Sequence, residues 1–465
     1  MKSGSMFCRG SSLMVLKIFL GLLILFAPPQ MASAQSSKEL GWKCGIAKVE
    51  ITPNQSMWMG GYASRKVPSK GVRQNIWAKA IALEDAEGQM GVMVSMDLVN
   101  IPKSISDRIR DKLETKYKIN RTQILLNVSH THTGPEVRDK IWEIEEVEKE
   151  KIRSYVAHLE ESVVNLVGKA INNLEPSKLY SGNGLTRFQV NRRNNAESEL
   201  RSYTELKGPN DYAVPVIKIV DMQNQIKGIV FGYACHATVL SDNMISGDYP
   251  GYAQSGLESM YPNATALFFQ GAGGDQNPLP RREPQLAEQY GMELAAAVYR
   301  VVESEMQELS PELSMSYSEI KIGMVGAPPC GEELEDIIAG KSDYPDYLKP
   351  RAKILLDQIN EGKELAKDYP YPVQVWSIGE QPLFAFGGEL LVGYVIELKR
   401  IFGDNIFVFG YSNDVMGYIP TVTVLREGGY EGNRSPYFTS PWESNIEYLI
   451  IEEAQKLARE VGISQ

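Results

Sequence analysis

The most constraining feature of this 465-residue chain is an apolar run that ends in a pair of histidines. The run Ile124 to Val128 has the composition of a buried β-strand, and His130 and His132 follow it before the breaker pair Gly134-Pro135. A buried strand that stops in this way places two imidazoles at the carboxyl end of a sheet. Because α/β folds collect ligands and catalytic groups there, the segment predicts an α/β fold with a site at this strand end.

The histidines of the chain are concentrated at predicted strand ends. Of the four, His236 follows a second apolar run, residues 228–233, whereas His158 lies among charged residues of a predicted helix and is interpreted as incidental. Imidazole is the commonest metal ligand and the usual acid or base near neutral pH. The placement of His130, His132 and His236 therefore indicates a metal site. The alternative is that these side chains only donate to carbonyl groups at strand ends.

Strand-like and helix-like segments alternate over most of the chain, and three hairpins are predicted among them. The hairpins pair residues 76–83 with 89–98, residues 214–221 with 226–233, and residues 373–378 with 382–386. Residues 332–365 are charged and predict a helical surface insertion. We find no internal repeat and no clear linker, so we expect one large α/β domain with mixed β-sheets flanked by helices.

The first 34 residues predict a secretory signal peptide. Basic residues precede an apolar core, Ile18 to Ala27, and Ala32-Ser33-Ala34 matches a cleavage site. The alternative interpretation is a membrane anchor, but the core is short for a span of the bilayer. We therefore expect a catalytic domain of residues 35–465, secreted or periplasmic, with no transmembrane anchor after cleavage.

The net charge and the cysteine content limit the classes of function that we expect. The net charge is −10 without a basic stripe, so nucleic acid is not expected as a partner. Beyond the signal segment only Cys44, Cys235 and Cys330 remain, too few for a disulfide scaffold. Cys235 lies beside His236 and is a possible metal ligand. Because neighbours in a strand face opposite sides, we instead expect a buried, inert thiol.

Short motifs recur along nearly the whole predicted mature chain, each of them weak by itself. They are Gly60-Gly61-Tyr62, Trp77-Ala78-Lys79-Ala80, Asp97, residues 130–135, His236-Ala237-Thr238, Ile245-Ser246-Gly247-Asp248, Gly251-Tyr252, Gly274-Asp275, Gly388-Glu389, Tyr418 and Tyr430-Glu431. In this order and combination they resemble the neutral/alkaline, non-lysosomal ceramidase family.

The resemblance implies one zinc ion held in an α/β domain. The implied zinc ligands are His130, His236, Glu389 and Tyr418. The implied contacts to substrate or transition state are His132, Arg192 and Tyr430. Two neutral imidazoles and a carboxylate are a common catalytic zinc set, and they leave room for water or substrate.

Several of these residues also have an alternative interpretation that does not involve a metal or a substrate. Glu389 stands at a predicted helix start, where a carboxylate opposes the helix dipole, and Tyr418 lies in a tyrosine-rich loop where packing is usual. Arg192 and Arg193 are either solvated charges or a binding pair for a carboxylate or sulfate group. We predict Arg193 and Asp275 as further substrate-binding residues.

Two departures from the family pattern bear on activity. The family's catalytic serine lies in a Gly-Asp-x-Ser-Pro loop, and here the loop reads Gly274-Asp275-Gln276-Asn277-Pro278. Asn277 therefore stands at the serine position, where a carboxamide can donate and accept hydrogen bonds but cannot act as a hydroxyl nucleophile. We also expect no room in this chain for the C-terminal β-sandwich domain that the resemblance implies.

Three functions remain open at this point. The first is a zinc-dependent, ceramidase-like hydrolase that cuts an amide in an N-acylated lipid or glycan. The second is a zinc-dependent dehydratase or lyase that eliminates water at the uronic-acid end of acidic oligosaccharides, which the missing serine favours. The third is a non-catalytic binding module, against which the four retained ligands argue. The expected partner is a small amphiphilic or acidic oligosaccharide substrate.

Overall fold

A computed structural model describes residues 41–433 and 439–464. The predicted signal peptide, residues 1–34, lies outside the described residues, so the start of the domain at residue 35 stays a prediction. The described residues belong to one compact unit. Within them, we find no helix that is both long enough and apolar enough to cross a membrane.

The β-strands of the described chain are mostly five to eleven residues long, with several two- and three-residue strands near loops. In chain order they are β1 Trp42–Glu50, β2 Gly71–Val72, β3 Trp77–Glu84, β4 Met90–Met96, β5 Ile124–Val128, β6 Glu175–Leu185, β7 Gln189–Asn191, β8 Ala213–Asp221, β9 Ile226–Tyr233, β10 Met244–Ile245, β11 Thr265–Gln270, β12 Gln276–Pro278, β13 Gln307–Glu308, β14 Leu313–Gly323, β15 Asp368–Ile378, β16 Gln381–Phe386, β17 Glu389–Leu390, β18 Phe407–Phe409 and β19 Tyr418–Ile419.

The α-helices alternate with these strands along the chain. They are α1 Lys103–Tyr117, α2 Glu146–Asn172, α3 Asp248–Met260, α4 Pro284–Val302, α5 Gly331–Ala339, α6 Lys349–Asn360, α7 Val392–Phe402, α8 Val422–Glu427, α9 Gly429–Gly432 and α10 Ile446–Glu460.

Two mixed sheets organise the fold. The larger has the strand order β11-β9-β8-β6-β1-β3-β4-β5, with β13 added at β6, and the smaller has the order β14-β15-β16-β18. In the larger sheet β9 and β11 are parallel, as are β4 and β5, and the other pairs are antiparallel. In the smaller sheet only β16 and β18 are parallel. The predicted α/β fold with mixed sheets is confirmed.

The sheets stack face to face between two layers of helices. In β3, Ala78, Ala80 and Ala82 pack under α1 and α2, whereas Ile81 and Leu83 pack against the smaller sheet. This division follows from the strand period of two, which sends successive side chains to opposite faces. Helices α3 and α4 cover another part of the larger sheet, and α7 and α10 cover the outer face of the smaller one. The result is a four-layer arrangement of helices, sheet, sheet and helices.

The hairpin predictions are confirmed by the pairings β3–β4, β8–β9 and β15–β16. The predicted insertion at 332–365 is also helical: it forms α5 and α6, which share a small apolar cluster of their own. The helix predicted for residues 390–401 was wrong at its start. Glu389 and Leu390 form strand β17, and α7 begins only at Val392.

The side chain of Asn127 forms hydrogen bonds to the backbone at strand ends of both sheets. Its Nδ2 donates to Gly410 O over 2.8 Å, just past β18, and its Oδ1 accepts from the backbone N–H of Gln270 over 2.8 Å, at the end of β11. Asn127 itself is fully buried in β5. Because a buried amide without partners is costly, this bonding fixes the two sheets relative to each other where the histidine segment begins.

Candidate metal centre

Four polar side chains converge where β5, β9 and β16 end. The ligand atoms of His130, His132 and His236 all lie within 4.8 Å of one another. The carboxylate Oε2 of Glu389 lies 3.4 Å from His130 Nε2 and 3.2 Å from His236 Nε2. Three imidazoles and a carboxylate therefore face one small volume, as predicted for a metal site.

Backbone carbonyls orient two of the imidazoles. His130 Nδ1 donates to Val99 O, and His236 Nδ1 donates to Gly273 O. With Nδ1 protonated in each ring, the lone pair lies on Nε2, and both Nε2 atoms face Glu389. Such outer hydrogen bonds fix the tautomer and orientation of metal-ligating histidines.

The donor set fits a divalent cation. His132 Nε2 lies 3.0 Å from His130 Nε2, and the buried Nδ1 of His132 has no hydrogen-bond partner among the described residues. Nitrogen and carboxylate ligands in this number are those that zinc and similar transition metals prefer. His132, which the resemblance implies as a substrate contact, is by geometry a further candidate ligand.

A two-strand ladder places Tyr418 beside Glu389. Strands β17 and β19 are parallel, with Glu389 opposite Tyr418 in register. The Tyr418 ring stacks on His236 with centroids 6.4 Å apart, and its hydroxyl accepts from Arg192 Nη2 over 3.2 Å. Gly388 permits this close approach: it has φ +69°, and a Cβ there would lie 2.5 Å from Ile419 Cγ1.

The electrostatics of the centre favour the protonation states that metal binding needs. Burial, followed by the neighbouring imidazoles, holds the pKa of His132 well below its usual range. Burial and Arg192 lower the pKa of His236 to about 4. Burial alone would raise the pKa of Glu389, but His130 and His236 hold it well below its ordinary value. Near neutral pH His132 and His236 are thus neutral and Glu389 is ionised, which are the forms that coordinate metals.

Tyr411 is a neighbour of the centre that the sequence interpretation did not include. Its backbone N–H donates to Gly388 O over 2.9 Å, and its ring lies 4.5 Å from the His130 ring. Both Tyr411 and His130 have left-handed φ values, 51° and 58°, a conformation that costs a non-glycine residue on the order of 1–3 kcal/mol. Its position just past the apolar run of residues 406–409 is the signal that would have identified it.

A cavity of about 630 Å³ opens onto the imidazoles. Its lining includes His132, Arg192, Asn277, Arg281, Tyr418 and Tyr430. Among the described residues that line it, Leu279 is the sole aliphatic side chain. The walls are therefore suited to a polar substrate rather than to a bare hydrocarbon chain.

Arg192 connects the predicted site residues on one wall. Its Nε donates to Glu431 Oε1 over 2.8 Å, its Nη1 to Asn277 Oδ1 over 3.2 Å, and its Nη2 to Tyr418. The guanidinium also lies 5.6 Å from the Tyr430 ring centroid. Each Nη nitrogen carries two hydrogens, so in the part of the chain that the structure describes one N–H on each has no partner and can donate to a bound molecule.

Arg193 and Asp275, the two predicted substrate-binding residues, are both bonded to other groups of the protein. Arg193 is paired within the protein, with Glu431 and Glu427. Asp275 is buried: its Oδ1 accepts from Val392 N over 3.0 Å at the start of α7, and its Oδ2 accepts from Asn191 over 3.1 Å. Asp275, and not Glu389, is thus the carboxylate that opposes the helix dipole.

The cysteine expectation agrees with the structure. Cys44, Cys235 and Cys330 are all free, and Cys235 is fully buried. Burial raises the pKa of the Cys235 thiol well above its ordinary value, so this side chain stays protonated and is a poor metal ligand.

Comparison with known proteins gives consistent matches. Residues 42–308 match the family described as neutral/alkaline non-lysosomal ceramidase, N-terminal. The neutral ceramidase of Pseudomonas aeruginosa is 22% identical over an alignment of 518 positions, which covers 96% of this chain and 76% of that protein. The neutral ceramidase of Drosophila pseudoobscura pseudoobscura is 24% identical over 53% of this chain, which amounts to 35% of the fly protein.

A solved structure also matches over most of the chain. The crystal structure of the Pseudomonas aeruginosa neutral ceramidase superposes with a TM-score of 0.69 at 21% identity, covering 92% of this chain and 76% of that one. At this identity the likeness concerns the fold, and it agrees with the mixed α/β layers described above.

Proposed function

Because the chain belongs to the neutral/alkaline non-lysosomal ceramidase family, we propose that it is a zinc-dependent, ceramidase-like hydrolase acting on an N-acylated lipid or glycan. The proposed zinc ligands are His130, His236, Glu389 and Tyr418. The observation that carries the proposal is the approach of two oriented Nε2 atoms to one Glu389 oxygen, at 3.4 and 3.2 Å.

The roles of the chain's own residues follow from their positions. When bound, the metal supplies Lewis acidity to a substrate carbonyl or carboxylate oxygen at this place. The two available N–H groups of Arg192 hold an oxygen of the substrate, and the carboxamide of Asn277 bonds a hydroxyl or amide group. His132 and Tyr430 are the proposed proton carriers, because both line the cavity.

A second candidate function is favoured by the residue at position 277. Asn277 offers no hydroxyl for attack, and its Oδ1 is already bonded to Arg192. Elimination does not need such a hydroxyl: a base takes the C5 proton of a terminal uronate, the C4–O bond breaks, a C4=C5 double bond forms and water leaves. Together with the polar walls, this favours a dehydratase or lyase acting on acidic oligosaccharides.

The two reactions are separated by the mass of the product. We would incubate the zinc-loaded protein with ceramides and with uronate oligosaccharides and analyse both by mass spectrometry. Gain of water supports the hydrolase and loss of water supports the dehydratase. Asn277→Ser is the matched variant: hydrolysis of ceramide that appears only in the variant would show that the residue at this position limits ceramide cleavage.

The metal assignment has its own test. Elemental analysis of protein purified without added metal should give about one zinc per chain, since the ligands converge from separate segments. Full occupancy by a different metal, or no metal after zinc addition, would contradict the assignment regardless of the substrate.

A further inference from the structure

Arg193 holds one short stretch of chain on both sides of Tyr430. Its Nη1 donates to Glu431 Oε2 over 2.7 Å, and its Nη2 donates to Glu427 Oε2 over 2.9 Å and to Gly428 O over 3.1 Å. Glu427 ends α8 and Glu431 lies in α9, so the bonded groups bracket Tyr430 in the sequence. One guanidinium thus contacts the segment 427–431 at three points.

The two glycines before Tyr430 allow the backbone there a wide range of conformations. Gly428 and Gly429 have φ values of +68° and +84°, in the region that glycine adopts without cost. Tyr430 itself is 52% exposed. Two consecutive glycines leave many backbone conformations accessible, so contacts from outside the segment are needed to select one.

Glu431 connects this segment to the metal centre. Glu431 is 3% exposed, and its carboxylate accepts from both Arg193 and Arg192. Arg192 in turn donates to Tyr418, a proposed ligand, and the Tyr430 ring lies edge-on to Tyr418 with centroids 5.3 Å apart. Charge-assisted hydrogen bonds shielded from water are about twice as strong as neutral ones, so this network can determine where the Tyr430 phenol lies.

We propose that Arg193 is a positioning residue for Tyr430 and not a contact to the substrate. It locks the segment 427–431 so that the phenol stays at the cavity wall beside Arg192. The inference rests on the proposed function only in taking Tyr430 as the group that acts on the substrate.

Amide hydrogen exchange, measured without substrate, tests directly whether Arg193 holds the segment 427–431 in place. In Arg193→Ala and Arg193→Lys we expect the amides of residues 424–433 to exchange faster, by about tenfold or more, because charge-assisted bonds are lost. Lysine keeps the charge but cannot form the planar fork, so it should not restore protection. Arg153→Ala is the matched control, since Arg153 likewise makes several ion pairs, in its case with three carboxylates, but lies on α2. Unchanged exchange in both Arg193 variants, with zinc content intact, would overturn the proposal.

Kinetic measurements then distinguish a positioning role of Arg193 from a direct contact with the substrate. Arg193→Ala should lower kcat by up to about 100-fold, the effect of a misplacement near 1 Å, with little change in KM. In a Tyr430→Phe background it should lower kcat no further. A raised KM at unchanged kcat would make Arg193 a substrate contact and overturn the inference. Inactivity on both substrate classes would contradict the proposed function, whereas the exchange measurement decides the role of Arg193 by itself.

Discussion

Gly388 offers a test of how closely the two ligand strands must approach. An added Cβ would lie 2.5 Å from Ile419 Cγ1 and 2.8 Å from Gly417 O, against 3.4–4 Å in ordinary contact. Gly388→Ala therefore requires β17 and β19 to separate by up to about 1 Å, an overpacking that costs about 1–3 kcal/mol. The positive φ adds about 1–2 kcal/mol for a residue with a Cβ.

Gly362→Ala is the control that separates the overpacking cost from the conformational cost. Gly362 has φ +76°, and a Cβ there would meet nothing within 4 Å, so this variant carries only the conformational cost. Urea unfolding with a chelator present should show Gly388→Ala as the less stable of the two by about 1–3 kcal/mol.

The same substitution should also weaken the metal centre, because it displaces Glu389 relative to Tyr418. We expect the zinc affinity of Gly388→Ala, measured by competition with a chromogenic chelator, to fall about 10- to 100-fold. Gly362→Ala should bind zinc normally. Equal stabilities of the two variants, with zinc affinities within twofold, would refute the idea that the β17–β19 distance holds the site together.

Three further predictions concern single side chains. His236→Ala should remove most of the bound zinc, whereas His158→Ala, an exposed residue of α2, should keep it; elemental analysis of both decides. Tyr430→Phe should keep zinc and fold but lose about 100-fold or more in kcat, and a fully active variant would exclude its acid/base role. Burial raises the pKa of Asp414 to about 7, so the folded state binds a proton that the unfolded state has released between about pH 4 and 7. This contribution to stability is lost as the pH rises through that window, and Asp414→Asn should flatten the decline in urea unfolding; an unchanged slope would contradict it.

Residues of the candidate metal centre could be predicted from the sequence where a local pattern marks them. His130 and His236 each follow an apolar strand, and that pattern alone places each of them at the carboxyl end of a strand. Glu389 and Tyr418 had no such signal, because β17 and β19 contain two residues each and their pairing is visible only in three dimensions. They were found through the family resemblance.

The wrong start of the predicted helix has the same origin. The helix predicted to begin after Glu389 starts later because its first residues pair with β19, and a tertiary contact overrides local propensity. The ion pairs of Arg193 were equally hidden in the sequence, and its contact with the substrate stays a prediction. Its carboxylate partners lie more than 230 residues further along the chain, at a distance that no local pattern spans.

The four proposed ligands come from two different sheets, and this has a consequence for the order of assembly. His130 and His236 follow strands of the larger sheet, while Glu389 and Tyr418 lie beyond the smaller one. Roughly 290 residues separate the first ligand from the last. At 5–20 residues per second a ribosome needs about 15 to 60 s to cover that distance. The strands of the larger sheet are thus synthesised before the last of the proposed ligands, and we expect metal capture by all four groups to be a late step of maturation.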